Sequence, residues 1–296
     1  MKRLTDQIRR VGLVANPDKK SGAAAVRKAA ALIRASGREV LADAATVHIS
    51  GSGHALTEVE TESQLAEQVD LLLVLGGDGT MLRVARNTSS SGTPIFGVNL
   101  GTLGFLTACR LSQLARALTS LWSGQCVVEP RWLIESTTGA GRRRERELAL
   151  NDFVVIRGTV PRLIELEVRV DGDLLTSYRG DGLIVSSPTG STAYSLAAGG
   201  AVVSPRAEVF ALTPICAHTL SSRSVIVNLD SVVEVRLISQ RVEAFLAADG
   251  QTPRSVQPGE VLRFRRARAV ARLVRLPDSS FFDTLRQKLN WSGSSV

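Results

Sequence analysis

What this chain is short of narrows the classes to which it can belong. Its three cysteines (Cys109, Cys126, Cys216) and three histidines (His48, His54, His218) are scattered, without CxxC, HxxxH or any comparable ligand spacing. Neither a disulfide framework nor a structural zinc site is expected from such a distribution. Aromatic residues make up only 4% of the sequence, whereas a nucleic-acid groove interleaves stacking rings with its basic side chains. No nucleic-acid partner is expected. No apolar run approaches the roughly 18 residues of a membrane span, and Met1 to Arg10 is polar and charged rather than signal-like. The expectation is a cytoplasmic protein without a membrane partner.

What is present fits a globular protein with room for two domains: 296 residues, 44% of them hydrophobic and 22% charged. The formal charge of +8 comes mostly from arginine and suits an anionic ligand such as a nucleotide, without by itself deciding which. The densest basic stretches are Arg142-Arg143-Arg144-Glu145-Arg146 and Arg263 to Arg275. They read as a solvated hairpin turn and the wet face of strands, because Arg263 and Arg265 alternate with Leu262 and Phe264.

The first 122 residues alternate strand and helix patterns. Val11–Ala15 reads as a strand, Ala23–Ala35 as a helix opened by Ser21, and Arg38–Ala42 as a second strand. Ala44 to Glu62 is polar and reads as loop or a poorly specified segment, and Leu65–Val69 leads into the strand Leu71–Leu75. Thr80–Asn87 follows as a short helix, Pro94–Val98 as another buried strand, and Leu111–Leu121 as a final helix. Such alternation implies βαβ units and a mostly parallel sheet. After Trp122 the texture changes to short alternating segments separated by turn signals: Leu148–Arg157, Leu163–Val170, Gly182–Ser187, Val232–Ile238 and Val261–Phe264. That is the pattern of a β-rich domain. Its one helical stretch is Thr192–Ala198, and the chain closes on an amphipathic helix, Phe281–Leu289. The expected organisation is a Rossmann-like α/β domain over 1–122, to which 281–296 returns, and a β-sandwich-like domain over 123–280.

Two motifs carry chemistry. The apolar run Leu71 to Leu75 stops at Gly76-Gly77-Asp78-Gly79-Thr80, a strand-to-helix turn whose backbone amides and helix N-terminus can converge on an anion. The glycines permit positive φ and close approach of a ligand; a plainer reading is a tight turn with Asp78 or Thr80 capping the helix. It is neither a Walker A loop nor GxGxxG. The second motif runs from Asp181-Gly182 through Pro188-Thr189-Gly190-Ser191-Thr192-Ala193-Tyr194-Ser195-Leu196-Ala197-Ala198-Gly199-Gly200. Its small side chains let a flat ligand lie against backbone, its hydroxyls answer ribose or phosphate oxygens, and Tyr194 offers a ring. Against this, the hydroxyls could serve only as caps and Tyr194 as core.

Together with Asn99-Leu100-Gly101-Thr102-Leu103-Gly104-Phe105-Leu106 and Leu150-Asn151-Asp152, these motifs resemble the bacterial NAD kinases, in order, from Val11 to about Trp291. The GGDGT loop alone occurs in lipid and sugar kinases too; Pro188 to Gly200 in its place after it is specific. The resemblance implies transfer of the γ-phosphoryl group of ATP to the 2′-hydroxyl of the adenosine ribose of NAD, giving NADP. It implies Asp78 as catalytic base, Gly79 beside the dinucleotide, and Asn151 with Asp152 on ribose hydroxyls or the nicotinamide end. Loop contacts fall on Thr192, Ala193, Tyr194, Ser195, Leu196 and Ala197, and further ones on Arg162, Arg179, Asp181 and Gln251. A divalent cation, Mg²⁺, is expected to arrive with ATP, and a homo-oligomer, dimer or tetramer, is implied, with neighbouring subunits supplying some contacts. Two positions depart from the family's pattern: Asp152 stands where glutamate is usual, and Arg223-Ser224 where Arg-Pro is usual. His218 is expected to be a satisfied core histidine. A non-catalytic dinucleotide sensor is the alternative outside the enzymes; it predicts damage at the Asp78 position, which is intact.

Overall fold

The run Leu71–Leu75 is buried along its whole length, and that decides the architecture around it. In the computed structural model, which describes residues 8–19, 21–51, 56–102, 104–138, 145–218, 222–277 and 279–291, the chain forms two compact units, 1–130 with 270–296, and 131–269. Arginines 142–144 of the first basic stretch, His54 and Leu103 lie outside the described residues.

The first unit contains β1 (Arg10–Ala15), α1 (Gly22–Ala35), β2 (Glu39–Asp43), α2 (Ala44–Ser50), β3 (Thr57–Val59), α3 (Glu62–Gln68), β4 (Leu71–Gly76) and α4 (Asp78–Thr88). After these come β5 (Ile95–Asn99), β6 (Cys109–Arg110), a 3₁₀ turn (Leu111–Gln113) and α5 (Leu114–Trp122). The strands pair in parallel in the order β5-β4-β1-β2-β3. Leu71, Leu73 and Leu75 point into a core shared with Ala25, Val26, Ile33, Leu114, Leu118 and Leu121 of α1 and α5. Alternate side chains face the other way: a Cβ at Gly12 would lie 2.9 Å from Leu72 and 3.0 Å from Leu65 of α3. A parallel sheet covered on both faces explains an uninterrupted apolar strand.

The second unit is antiparallel. Its strands are β7 (Val127–Thr138), β8 (Glu145–Ala149), β9 (Asp152–Arg157), β10 (Ile164–Val170), β11 (Asp173–Gly180) and β12 (Gly182–Ser186). The helix α6 (Tyr194–Ala197) precedes β13 (Val209–Ile215), β14 (Val225–Asn228), β15 (Val233–Leu237), β16 (Ala244–Ala248), β17 (Gln251–Val256) and β18 (Val261–Arg275). One sheet runs β14-β13-β12-β9-β16-β17; the other pairs β11-β10-β15-β18, with β7 on β18 and β8 on β7. Their inner faces share one core, and the rings of Phe153 and Phe264 meet there 5.4 Å apart. This is the sandwich that alternating patterns imply. The strand β18 ends in the first unit, where Leu273 pairs with Ile95, and α7 (Phe281–Leu289) closes the described chain.

Several sequence expectations change here. Ala44 to Glu62 is not all loop: its described residues hold α2 and β3. The helix α2 is anchored by tertiary contact: Thr46 is buried and its Oγ1 accepts from the Ala15 N–H at 2.8 Å, while Arg27 donates to the Ser50 carbonyl. Leu65–Val69 is largely the helix α3, whose N-cap Thr61 accepts from the Gln64 N–H. The Thr61-Glu62-Ser63-Gln64 capping signal was readable. Leu148–Arg157 is two strands broken at Leu150-Asn151, Thr192–Ala198 is two one-turn pieces meeting at Ala193, and Val261–Phe264 continues to Arg275. Three arginines at the start of β18 are engaged by acids: Arg263 with Glu234, Arg265 with the buried Glu135, and Arg266 with Asp230 and over the Trp132 ring. Among the described residues no helix is long and apolar enough to cross a membrane.

Candidate functional site

In the first unit, the turn after β4 presents a carboxylate. The helix α4 starts at Asp78 with Gly77 as N-cap, and no side chain caps it. The capping reading of Asp78 therefore fails. Its carboxylate instead accepts from the backbone N–H groups of Phe105 (2.8 Å, on Oδ2) and Leu106 (3.1 Å, on Oδ1). These amides follow β5, and several described residues between the two are bonded in turn. The Leu100 N–H donates to the Gly76 carbonyl, the Gly101 N–H to Asn99 Oδ1, and Asn99 Nδ2 to Thr107 Oγ1. Gly104 packs directly on Asp78; a Cβ there would overlap the carboxylate. Two amides occupy two of about four acceptor positions on a carboxylate, so Asp78 keeps capacity for a ligand hydroxyl while its rotamer is set.

The glycines of this turn differ in purpose. A Cβ at Gly76 would overlap Thr80, so packing requires glycine there. Nothing lies within 4 Å of a Cβ built at Gly77 or Gly79. None of the three adopts positive φ, which corrects the conformational reading. The chain's own atoms thus supply no steric reason for Gly77 and Gly79. Open backbone at a helix start, where amides lack intrahelical partners, is what an approaching phosphate uses.

In the second unit, the break between β8 and β9 leaves Asn151 half-buried and is held by the side chains of Asp249 and Ser187. The Asp249 carboxylate, at the tip of the β16–β17 hairpin, accepts from the N–H groups of Leu150 (3.0 Å), Asn151 (2.7 Å) and Asp152 (3.2 Å). From the other side Ser187 donates its N–H to the Asn151 carbonyl and its hydroxyl to the Leu150 carbonyl. Gly190 lies against the Asn151 backbone, where a Cβ would overlap. Asn151, Asp152, the 187–197 loop and the Asp249–Gln251 turn therefore come together. Asp249 is the residue that sequence reasoning left out: an Asp-Gly pair reads as a hairpin turn, which masks its second task.

Asp152 is only 4% exposed, and burial, reinforced by the Asp249 charge, pushes its carboxyl up to about 7. Within the loop, Ser195 is buried and its hydroxyl bonds Thr213, which in turn bonds Ser224 at 2.9 Å. Serine in place of the usual proline completes this hydroxyl chain. Tyr194 is 41% exposed, Ala197 is exposed, and Thr192, Ala193 and Leu196 are half-buried. The plainer reading of Tyr194 as core does not hold.

Arg162, Arg179 and Asp181 are placed elsewhere. Asp152 pairs with Ser186 at one end of β12, whereas Asp181 precedes the other end, about 16 Å away at strand rise. There Asp181 pairs with Arg157 at 2.5 Å, Arg162 borders a cavity of about 540 Å³, and Arg179 is exposed. His218 is also exposed at this end, with its N–H on the Arg179 carbonyl, so it is no core histidine. Among the described residues no group of three or more His, Cys, Asp and Glu side chains is arranged to hold a metal.

A parallel α/β unit with an open glycine turn beside a fixed carboxylate, joined in one chain to a β-sandwich with a hydroxyl-rich loop, defines a nucleotide-handling phosphotransferase. Family models identify it further: the ATP-NAD kinase N-terminal domain matches residues 11–126 and the ATP-NAD kinase C-terminal domain residues 150–276. The chain belongs to the ATP-NAD kinase family. It is 39% identical over 280 residues to the NAD kinase of Desulforamulus reducens, covering 94% of this chain and 96% of that one. The NAD kinase of Moorella thermoacetica is 47% identical over 223 residues, 75% of this chain and 72% of that one. Among solved structures, yeast NADH kinase complexed with NADH superposes with a TM-score of 0.86 at 26% identity, over 98% of this chain and 89% of that one. An NAD kinase from Archaeoglobus fulgidus in complex with ATP gives 0.73 at 25%, over 96% and 100%.

Proposed function

We propose that this NAD kinase moves the γ-phosphoryl group of ATP to the 2′-hydroxyl of the adenosine ribose of NAD, with Asp78 as the group that receives the hydroxyl proton. The observation that carries this reading is the carboxylate of Asp78, set by two backbone amides beside glycines whose missing side chains leave open space. Phosphoryl transfer has a loose transition state in which little proton movement precedes P–O cleavage. Asp78 therefore orients the attacking hydroxyl and takes its proton late. Gly77 and Gly79 offer backbone to the phosphates, and in-line positioning with charge neutralisation supplies most of the acceleration. Mg²⁺ is assigned to the ATP phosphates and enters as part of that substrate.

Asn151 and Asp152 are assigned to ribose hydroxyls or the nicotinamide end, with the half-open loop 192–197 and Gln251 beside them. Because Asp152 is buried and one methylene shorter than glutamate, Asn151 carries the direct contact in this assignment. Arg162, Arg179 and Asp181 serve a separate part of the ligand or a neighbouring subunit. A homo-oligomer is supported by exposed Leu174 on the edge strand β11 and Ile226 on the edge strand β14. The protein is assigned to the cytoplasm.

The deciding experiment incubates purified protein with NAD, Mg²⁺ and either ATP or polyphosphate and reads NADP with an NADP-specific dehydrogenase. NADP from at least one donor is expected; none from either overturns the proposal. Parallel arms with lipid and sugar acceptors test the wider GGDGT reading.

A further inference from the structure

We infer that Phe281, the first residue of α7, is a positioning residue for phosphoryl transfer: its ring holds Phe105 and thereby the two amides that set the Asp78 carboxylate. The inference rests on the role given to Asp78 above. The rings of Phe105 and Phe281 lie 6.2 Å apart, tilted by 44°, within the roughly 4.5–7 Å over which aromatic pairs attract. Phe105 is the residue whose N–H reaches Asp78 Oδ2, and the next N–H, of Leu106, reaches Oδ1. A displacement of the Phe105 ring therefore moves the donors that choose the carboxylate's rotamer.

The helix presenting Phe281 is capped at both ends and buries Thr284 and Leu285. Ser280 accepts from the Asp283 N–H at 3.0 Å and donates its hydroxyl to Asp283 Oδ2 at 2.7 Å, and Asp283 pairs with Arg286. At the far end Asn290 adopts the left-handed conformation and the Trp291 N–H returns to the Arg286 carbonyl. Phe281 also packs on the ring of Phe282, 5.4 Å away. Next to this first turn lies a cavity of about 620 Å³ bordered by Ala108, Cys109, Ser280, Asp283 and Thr284. The ring thus joins a capped helix start to the Phe105 loop.

The test compares Phe281→Ala, Phe281→Leu and Phe281→Tyr, each also in an Asp78→Asn background, with folding checked by thermal unfolding. Phe281→Ala is expected to lower kcat roughly three- to tenfold with the KM for NAD within about twofold, since only alignment at the reacting group is affected. Phe281→Tyr, which keeps the ring, restores kcat. In the Asp78→Asn background the same substitution changes the residual rate by less than about twofold, because coupled residues are non-additive. Amide hydrogen exchange at Phe105 and Leu106 quickens in Phe281→Ala. Should that variant fail to fold, Phe281→Leu carries the same comparison. Unchanged kcat and exchange in the folded variants, or an equal loss of rate in both backgrounds, overturns the inference. If the wild type makes no NADP, the functional reading falls, and the exchange measurement decides the Phe281–Phe105 coupling by itself.

Discussion

The two units solve the same problem by opposite means. In the first, backbone holds a side chain: the amides of Phe105 and Leu106 fix the Asp78 carboxylate. In the second, a side chain holds backbone: the Asp249 carboxylate collects the amides of Leu150, Asn151 and Asp152. Asp78 is left partly exposed with acceptor capacity to spare, whereas Asp249 spends its oxygens on three amides of the chain. In the proposed reaction Asp78 is the carboxylate that acts, and Asp249 the one that shapes the chain.

The sharpest break of that comparison is Asp78→Asn. The amide keeps the shape but can accept from only one of the two backbone N–H groups; NAD affinity should stay within about threefold, while kcat falls by roughly 10²–10⁴, the usual worth of a proton acceptor. Stopped assays and calorimetric titration with NAD check the two halves of this statement, and near wild-type kcat ends the role of Asp78 as base. Asp249→Ala should act the other way round. Unsatisfied buried amides cost on the order of 1–3 kcal/mol each, so about 3 kcal/mol of unfolding free energy is expected to be lost in urea titration, with a raised KM for NAD as the 150–152 break loosens. Wild-type stability would show that the three amides find other acceptors.

Asp152→Asn probes the same region through pH. The folded carboxyl titrates near 7 and the unfolded one near 3.8, so the fold favours the protonated form. The favourable contribution is complete below the unfolded value and is lost as pH rises through the folded one. The variant, neutral throughout, should therefore be more stable than wild type at pH 8 by on the order of 4 kcal/mol, with the gap closing as the pH falls towards about 4. A gap independent of pH would mean that Asp152 is not the titrating group. The smallest effect on folding is expected from Gly79→Ala: stability within about 1 kcal/mol of wild type, because open space surrounds the position, yet kcat/KM reduced about tenfold, or roughly 1.4 kcal/mol, by a methyl in the ligand's path. Gly104→Ala, which meets the Asp78 carboxylate, should instead disturb that side chain and lower kcat.

Legibility of the fold followed the range of the interactions. The strands β4 and β5 and the helices α1 and α7 were readable because burial on both faces, or a one-sided apolar stripe, is written in adjacent residues. The helix α2 was not, because Ala-Ala-Thr-Val-His-Ile-Ser is a poor helix on its own terms and is held by Thr46 on the end of β1. The strand read through Leu148–Arg157 was interrupted for a similar reason: its residues suit extended backbone, but Asp249, almost a hundred positions later, and Ser187 draw the amides and carbonyls of 150–151 out of the ladder. The candidate site was legible as motifs, in that GGDGT and the 188–200 loop are contiguous. What Asp78 bonds, why Ser195 faces inward and why Asp152 is neutral-leaning were not.

From the sequence alone came the α/β-then-β order, the glycine turn at the end of an apolar strand, and the family resemblance that names its chemistry, since each rests on local periodicity or on residues in a row. Only the tertiary structure decided that Gly77 and Gly79 face open space while Gly76 and Gly104 are required by packing, that Asp78 is held by a loop 27 residues away, and that Asp152 sits beside Asp249 with its charge disfavoured. The physical reason is that burial and the direction of backbone amides belong to the neighbours that folding supplies, and a carboxylate's character follows from those neighbours rather than from its place in the chain.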